Sequence, residues 1–281
     1  MDISSFTKGG RFLMLALDHR ESFRKILNPQ KPEAVTTEEI IEIKKEIIES
    51  LHDQFSGILI DPEYGLPAYQ SLNFRLKKPY LLSIEKSGYR QVGEERITQL
   101  EYQVGQLKKM AATGVKLLIY FNPYVKTAKT QLETAAKVWR DCQAAGLPLF
   151  LEIVTYYTEQ TASAKLNLVV ESVKRFLNYG IRADVFKLDY PKNEASCRLI
   201  TNLLGRIPWV LLTRGENFQI FKKQLEIAVE NGASGFLAGR ALWQEIGKYQ
   251  NEEERKEFLN AVVKQRFQEI TSIVEKRAFF V

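Results

Sequence analysis

Eight short runs of apolar, largely β-branched or aromatic residues punctuate the chain: Phe12–Leu17, Gly57–Ile60, Tyr80–Ile84, Val115–Phe121, Leu149–Val154, Val185–Leu188, Trp209–Leu212 and Gly235–Ala238. Their starts fall about 32 residues apart on average, the length of one βα unit. Each run is hydrophobic almost throughout, as strands are when a parallel sheet is buried on both faces. Between the runs the period lengthens to that of helices. Ile97, Leu100, Val104, Leu107 and Met110 keep the interval of one helix face and predict a helix across 97–110. Gly114, Gly146, Gly180 and Gly232 each stand between a helical stretch and the next strand, where left-handed C-caps occur. Pro67 to Phe74 leaves room for only a short helix in the second unit, and the charged stretch Asn251 to Lys276 extends the last.

Alternating strands and helices fit either a doubly wound open sheet or a closed barrel. No G-x-G-x-x-G follows the first strand, which favours the barrel. With no linker, low-complexity tract or break in composition, the expectation is a single (β/α)₈ TIM barrel domain over residues 1–281. In that fold the catalytic residues come from the carboxyl ends of the strands, so charges at those positions carry the functional signal.

Lys187 interrupts an apolar strand, Val185-Phe-Lys-Leu188. Side chains alternate along a strand, so Val185, Lys187 and Asp189 share one face while Phe186 and Leu188 take the other. If the latter pack on the helices, Lys187 points into the barrel. A lysine desolvated among neighbouring charges meets the conditions that yield a neutral, nucleophilic amine; a structural ion pair is the plainer alternative. Glu152 lies among Phe150, Leu151 and Ile153, and a buried carboxylate must be paired or protonated. Beside lysines it suits a general acid or base. Lys116 begins its apolar run and fits equally well a solvated strand start. Asp18 ends the first strand, Asp61 the second, and Glu85-Lys86 the third. Any one could be a turn acid; together they would converge on one rim.

The last two strands end in Thr213-Arg214-Gly215 and Gly239-Arg240, where barrels of this type hold a phosphate through backbone N–H groups, a helix start and an arginine. His19 and His52 are the only histidines, too few for the imidazole set of a catalytic zinc centre, so no metal or cofactor is expected. His52 reads as a surface residue on a helix, and His19 as a hydrogen-bonding group near the rim.

Bulk properties narrow the field a little further. The net charge is +6, but Lys and Arg alternate with Glu and Asp and form no basic tail or basic–aromatic stripe, so neither nucleic acid nor membrane is an expected partner. No apolar run approaches the roughly 18 residues of a membrane span. Cys142 and Cys197 make no C-x-x-C pair, no secretory segment opens the chain, and a cytoplasmic location is expected. Assembly into a homo-oligomer is left open.

Segments from one end of the chain to the other resemble the tagatose-1,6-bisphosphate aldolase family of class I aldolases, and are similar to the related sulfofructosephosphate aldolases. They are LALDHRESF at 15–23, ILIDPEYGLPA at 58–68, EKSGY at 85–89, VKLLIYF at 115–121, FLEIV at 150–154, VFKLDYP at 185–191 and SGFLAGRALW at 234–243. The resemblance implies Lys187 as Schiff-base lysine, Glu152 as proton-transfer carboxylate, Lys116 as electrostatic partner and Asp18 as positioning acid. It implies that Thr213, Arg214, Gly215, Gly239 and Arg240 hold the phosphate of dihydroxyacetone phosphate, with Arg20, Glu85 and Lys86 among the substrate-binding residues. The implied substrate is a small phosphorylated or sulfonated sugar. Relatives carry Ser-Ser-Gly or Ser-Ala-Gly where this chain has Thr213-Arg214-Gly215, which puts an extra cation near the anionic group. EKSGY and DPEYGLPA point to the tagatose-bisphosphate branch, while AGRALW fits the sulfosugar branch at least as well. A catalytically idle barrel with a binding role stands as the alternative from another class.

Overall fold

The computed structural model describes residues 1–74, 77–162 and 167–276. Its strands β1 (Phe12–Leu17), β2 (Gly57–Ile60), β3 (Tyr80–Ser83), β4 (Gly114–Phe121), β5 (Leu149–Thr155), β6 (Val185–Leu188), β7 (Trp209–Leu212) and β8 (Gly235–Ala238) close into a barrel in chain order. All neighbouring pairs are parallel, and β8 closes on β1 through Phe12↔Gly235 to Leu15↔Ala238. This is a (β/α)₈ barrel, with strands within two residues of those read from hydrophobicity. Helices such as Thr37–Leu51, Ala128–Ala145, Leu168–Asn178, Glu194–Leu204 and Phe218–Glu230 return the chain outside it.

The strand period of two sorts the apolar side chains into separate clusters. Leu13, Leu15, Ile58, Leu117, Leu151, Phe186 and Leu211 face the helices and join the large outer core. Phe12, Met14, Leu59, Leu81, Phe150, Val185, Val210 and Leu237 face inward. Phe6, from the short turn Ser4–Phe6, closes the amino-terminal end of the barrel. Its ring meets Phe150 edge-on at 5.2 Å, and Phe150 meets Phe12 at 5.9 Å. The barrel therefore has an apolar floor, and polar inward positions are confined to its carboxyl-terminal half.

Three local expectations are corrected. The helix across 97–110 shrinks to Val104–Lys109, and Ile97 belongs to an antiparallel hairpin of Arg90–Val92 with Glu95–Ile97. Backbone groups of 99–101 pair with the chain leaving β3, Lys86 N to Gln99 O at 2.8 Å and Glu101 N to Ile84 O at 2.9 Å, so they cannot make helical bonds. Gly146, Gly180 and Gly232 do take positive φ, but Gly114 does not: Ala111 makes that reversal at φ 57°. Gly114 is instead required by space, because a Cβ there would come within 2.7 Å of Leu81 Cδ2. His52 is buried rather than superficial, its ring stacked on Phe74 at 3.4 Å between centroids.

Candidate active site

Register builds the site. Above Phe150 on β5 the next inward residue is Glu152, and above Val185 on β6 it is Lys187; these two are ladder partners. Lys116 on β4 pairs with Phe150 on one side and Ser83 on the other. Asp18 follows β1 and Glu85 follows β3. All five side chains are buried or nearly so, with Lys116 1%, Lys187 4%, Glu85 5% and Glu152 6% exposed. The solvated strand start considered for Lys116 is thereby excluded.

Lys116 is the hub. Its Nζ lies 2.6 Å from Asp18 Oδ2 and 3.3 Å from Glu152 Oε2, and donates to Glu85 Oε1. Glu85 Oε2 also accepts Leu118 N–H at 3.1 Å. Burial disfavours charge on Lys116, but Asp18, Glu85 and Glu152 outweigh it and hold the ammonium well above its ordinary pKa. Asp18 is likewise desolvated, yet Lys116 and Lys187 hold its carboxyl well below the usual range. For Glu85 burial prevails over Lys116, and the carboxyl is raised. Lys187 meets a single carboxylate: Nζ is 2.9 Å from Glu152 Oε2, a contact by distance without hydrogen-bond angles, since that oxygen has no hydrogen-bond partner. The two lysines thus differ in kind. Three carboxylates fix Lys116 as a cation, whereas Lys187 shares one oxygen and faces open space.

That space is a cavity of about 490 Å³ at the carboxyl-terminal mouth. Asp18, Glu85, Lys116, Glu152 and Lys187 form its base; Arg20, Lys86, Thr213, Arg214, Gly239 and Arg240 are on its walls. Gly215 backs onto the Arg240 guanidinium, where a Cβ would sit 3.1 Å from Cζ. Arg240 Nε is buried without a hydrogen-bond partner. Arg20 reaches the cavity, but its guanidinium is committed to Glu101 and to the Glu85 carbonyl at 2.5 Å. Arg214 is committed too, donating to Asp189 Oδ2 at 2.9 Å and to the Thr155 carbonyl at 2.6 Å. Burial raises the Asp189 carboxyl although Arg214 opposes this. Asp61 is not brought into the cavity: it takes the Lys44 ammonium and the Tyr64 and Gly65 amides at 2.7 and 3.1 Å. His19 lines the cavity, edge-on to Trp243 at 5.1 Å, and desolvation drops its pKa to about 3, leaving a neutral imidazole.

The cavity also holds Lys25, Tyr89, Arg96 and Tyr120, which sequence patterning did not single out. Tyr120 was legible, since it shares the inward face of Lys116 and Leu118. Arg96 was not, because it rides on the hairpin that the helical spacing concealed.

A lysine–carboxylate cluster at the carboxyl-terminal mouth of a parallel eight-stranded barrel is compatible with a lyase of the aldolase type, and the family match assigns the chain to that class. The chain belongs to the DeoC/LacD family of aldolases, whose family model matches residues 12–245. It is 27% identical to the tagatose 1,6-diphosphate aldolase of Staphylococcus epidermidis, over 94% of this chain and 91% of that one. The enzyme of the same name from Streptococcus agalactiae is 28% identical over 96% and 93% of the two chains. In structure it is similar to a Schiff-base-forming fructose-1,6-bisphosphate aldolase, with TM-score 0.61, 18% identity and coverage of 94% and 97%. Among the described residues no helix is long and apolar enough to cross a membrane.

Proposed function

We propose that this aldolase works through a Schiff base on Lys187 and cleaves a ketose 1,6-bisphosphate such as tagatose 1,6-bisphosphate. The observation that carries the proposal is the division of labour between two buried lysines. Lys116 is locked as an ammonium by three carboxylates, so of the two it is Lys187 that is open to the cavity, 2.9 Å from the Glu152 carboxylate. The naming of the 27–28% identical relatives supports the sugar.

The proposed reaction uses these groups in turn. As its free amine, Lys187 Nζ adds to the C2 carbonyl, and Glu152 delivers the protons that turn carbinolamine into iminium with loss of water. A base takes the C4 hydroxyl proton, the C3–C4 bond breaks, and its electron pair passes to the iminium to give an enamine. Glyceraldehyde 3-phosphate leaves. Protonation at C3 and hydrolysis of the imine release dihydroxyacetone phosphate and restore the amine. Asp18 and Lys116 hold Glu152 in place and keep the base of the site charged and ordered. The loops Thr213–Gly215 and Gly239–Arg240, with the Arg240 guanidinium, receive the C1 phosphate. The iminium supplies the electron sink, so activity should survive dialysis against a strong chelator.

Borohydride reduction in the presence of dihydroxyacetone phosphate is the direct test. A stable secondary amine should map to Val185–Pro191, and Lys187→Arg should abolish both adduct and turnover while the fold persists. An adduct on Lys116 would exchange the roles of the two lysines, and none at any lysine would remove the mechanism.

A further inference from the structure

Two arginines on the cavity wall, Arg96 and Arg240, have no acidic partner among the described residues, and they stand on opposite sides. Arg240 follows β8. Arg96 lies on the hairpin between β3 and β4 and is carried against β4 and β5: its guanidinium sits over the Tyr89 ring at 4.8 Å and over the Tyr156 ring at 5.0 Å, and Tyr89 packs edge-on against Tyr120 of β4 at 4.8 Å. In the closed order of eight strands β4 is diametrically opposite β8. Lys187, on β6, is two strands from each. The acids flanking Arg96 are engaged elsewhere. Glu95 accepts the Thr127 amide at 2.8 Å and Glu94 the Glu159 amide at 3.0 Å. Stacked on aromatic faces, a guanidinium keeps its donors along its edge, in the fork that suits an oxyanion. Lys86, exposed on the same wall, adds a second charge.

We propose that Arg96, helped by Lys86 of the same cavity, receives the distal anionic group of the substrate, a tetrahedral oxyanion on the carbon farthest from the Arg240 end. The enzyme would then select doubly anionic ketoses that span the mouth, with the reacting carbonyl over Lys187. This inference rests on the Schiff-base role of Lys187. Arg214, the extra cation of the β7 loop, is tied to Asp189 and Thr155, while the contacts of the Arg96 guanidinium among the described residues are with aromatic rings.

The test compares wild type and Arg96→Gln on three ketoses: the 1,6-bisphosphate, the 6-deoxy-6-sulfo 1-phosphate and a ketose 1-phosphate with no distal charge. KM for the bisphosphate should rise roughly 10- to 100-fold, the worth of hydrogen bonds to a charged group, with a far smaller change for the 1-phosphate. Arg96→Lys should recover part of the loss, and Lys86→Gln should shift selectivity the same way by less. A matching loss on the sulfonated ketose identifies the receptor as one for either oxyanion; a loss confined to the bisphosphate identifies it as a phosphate receptor. Equal losses on all three substrates, or no change on any, would overturn the proposal. Borohydride trapping of dihydroxyacetone phosphate by wild type separates the two layers. If trapping succeeds and selectivity does not move, only the distal receptor falls; if trapping fails, the role of Lys187 falls with it.

Discussion

Glu152 and Lys187 face each other as ladder partners across β5 and β6, so their contact is fixed by backbone register rather than by side-chain reach. A slip of one residue would turn both toward the helices and place Leu151 or Leu188 in the cavity. The pair is therefore as precise as the barrel itself, and substitutions within it should change chemistry before they change structure.

Glu152→Gln keeps the shape of the side chain and removes its capacity to carry a proton. Turnover should fall about 100- to 10,000-fold, the range for loss of a positioned acid–base group. The borohydride adduct should still form, more slowly, on Lys187. Near wild-type turnover would show that another group moves the protons.

Lys116→Met should act on stability as well as on rate. The ammonium is the shared counter-ion of Asp18, Glu85 and Glu152, and removing one partner of a buried ion pair typically costs about 3–5 kcal/mol. Thermal or urea unfolding would measure it. A variant as stable as the wild type would mean that the three carboxylates are relieved by protonation or by movement.

Arg214→Ser tests whether the extra cation of the β7 loop reads the substrate or shapes the site. Two of its donors go to Asp189 and the Thr155 carbonyl, and its φ of 48° helps set the Thr213–Gly215 turn. The expected outcome is a similar fall in kcat/KM for phosphorylated and sulfonated ketoses. A change in the ratio between them would make Arg214 a contact to the distal group.

His19 gives a pH signature. Its pKa falls from 6.5 to about 3 on folding because burial disfavours the imidazolium. Between those values the unfolded chain binds more protons than the native one, so this residue costs stability as the pH falls from 6.5 toward 3 and has no effect above 6.5. Melting temperatures of wild type and His19→Gln should therefore converge, or cross, on going from pH ~7 to pH ~4.5. Parallel curves would show that the imidazole charges in the folded protein.

The eight strands were legible because a parallel barrel buries both faces of each one, and few folds repeat an unbroken apolar run at the spacing of a βα unit. Lys187 and Glu152 stood out for the same reason, as charges inside such runs. Lys116 was ambiguous in sequence, since the first residue of a strand can look outward; only the partners that surround it decide. The hairpin was hidden because Ile97, Leu100 and Val104 fall by coincidence at helical intervals while their backbone pairs with the chain leaving β3. Arg20 and Arg214 were visible as rim cations, but no pattern in the sequence reveals that Glu101 and Asp189 already hold them.

The hairpin Arg90–Ile97 is tied to the barrel mostly at its second strand: Glu94 and Glu95 to loop amides, the Arg96 amide to the Tyr156 hydroxyl at 3.0 Å, the Arg96 carbonyl to Gln131 Nε2 at 3.2 Å and the Arg96 guanidinium over the Tyr156 ring. Its residues 90–94 are exposed and add nothing to the core. Such an appendage can be lengthened, shortened or recoded without disturbing the register that aligns Glu152 with Lys187. If Lys187 and Arg96 have the roles proposed for them, bond cleavage and substrate choice lie on separate pieces of chain, and a lineage of these enzymes is free to drift toward new sugars while the bond-breaking step stays as it was.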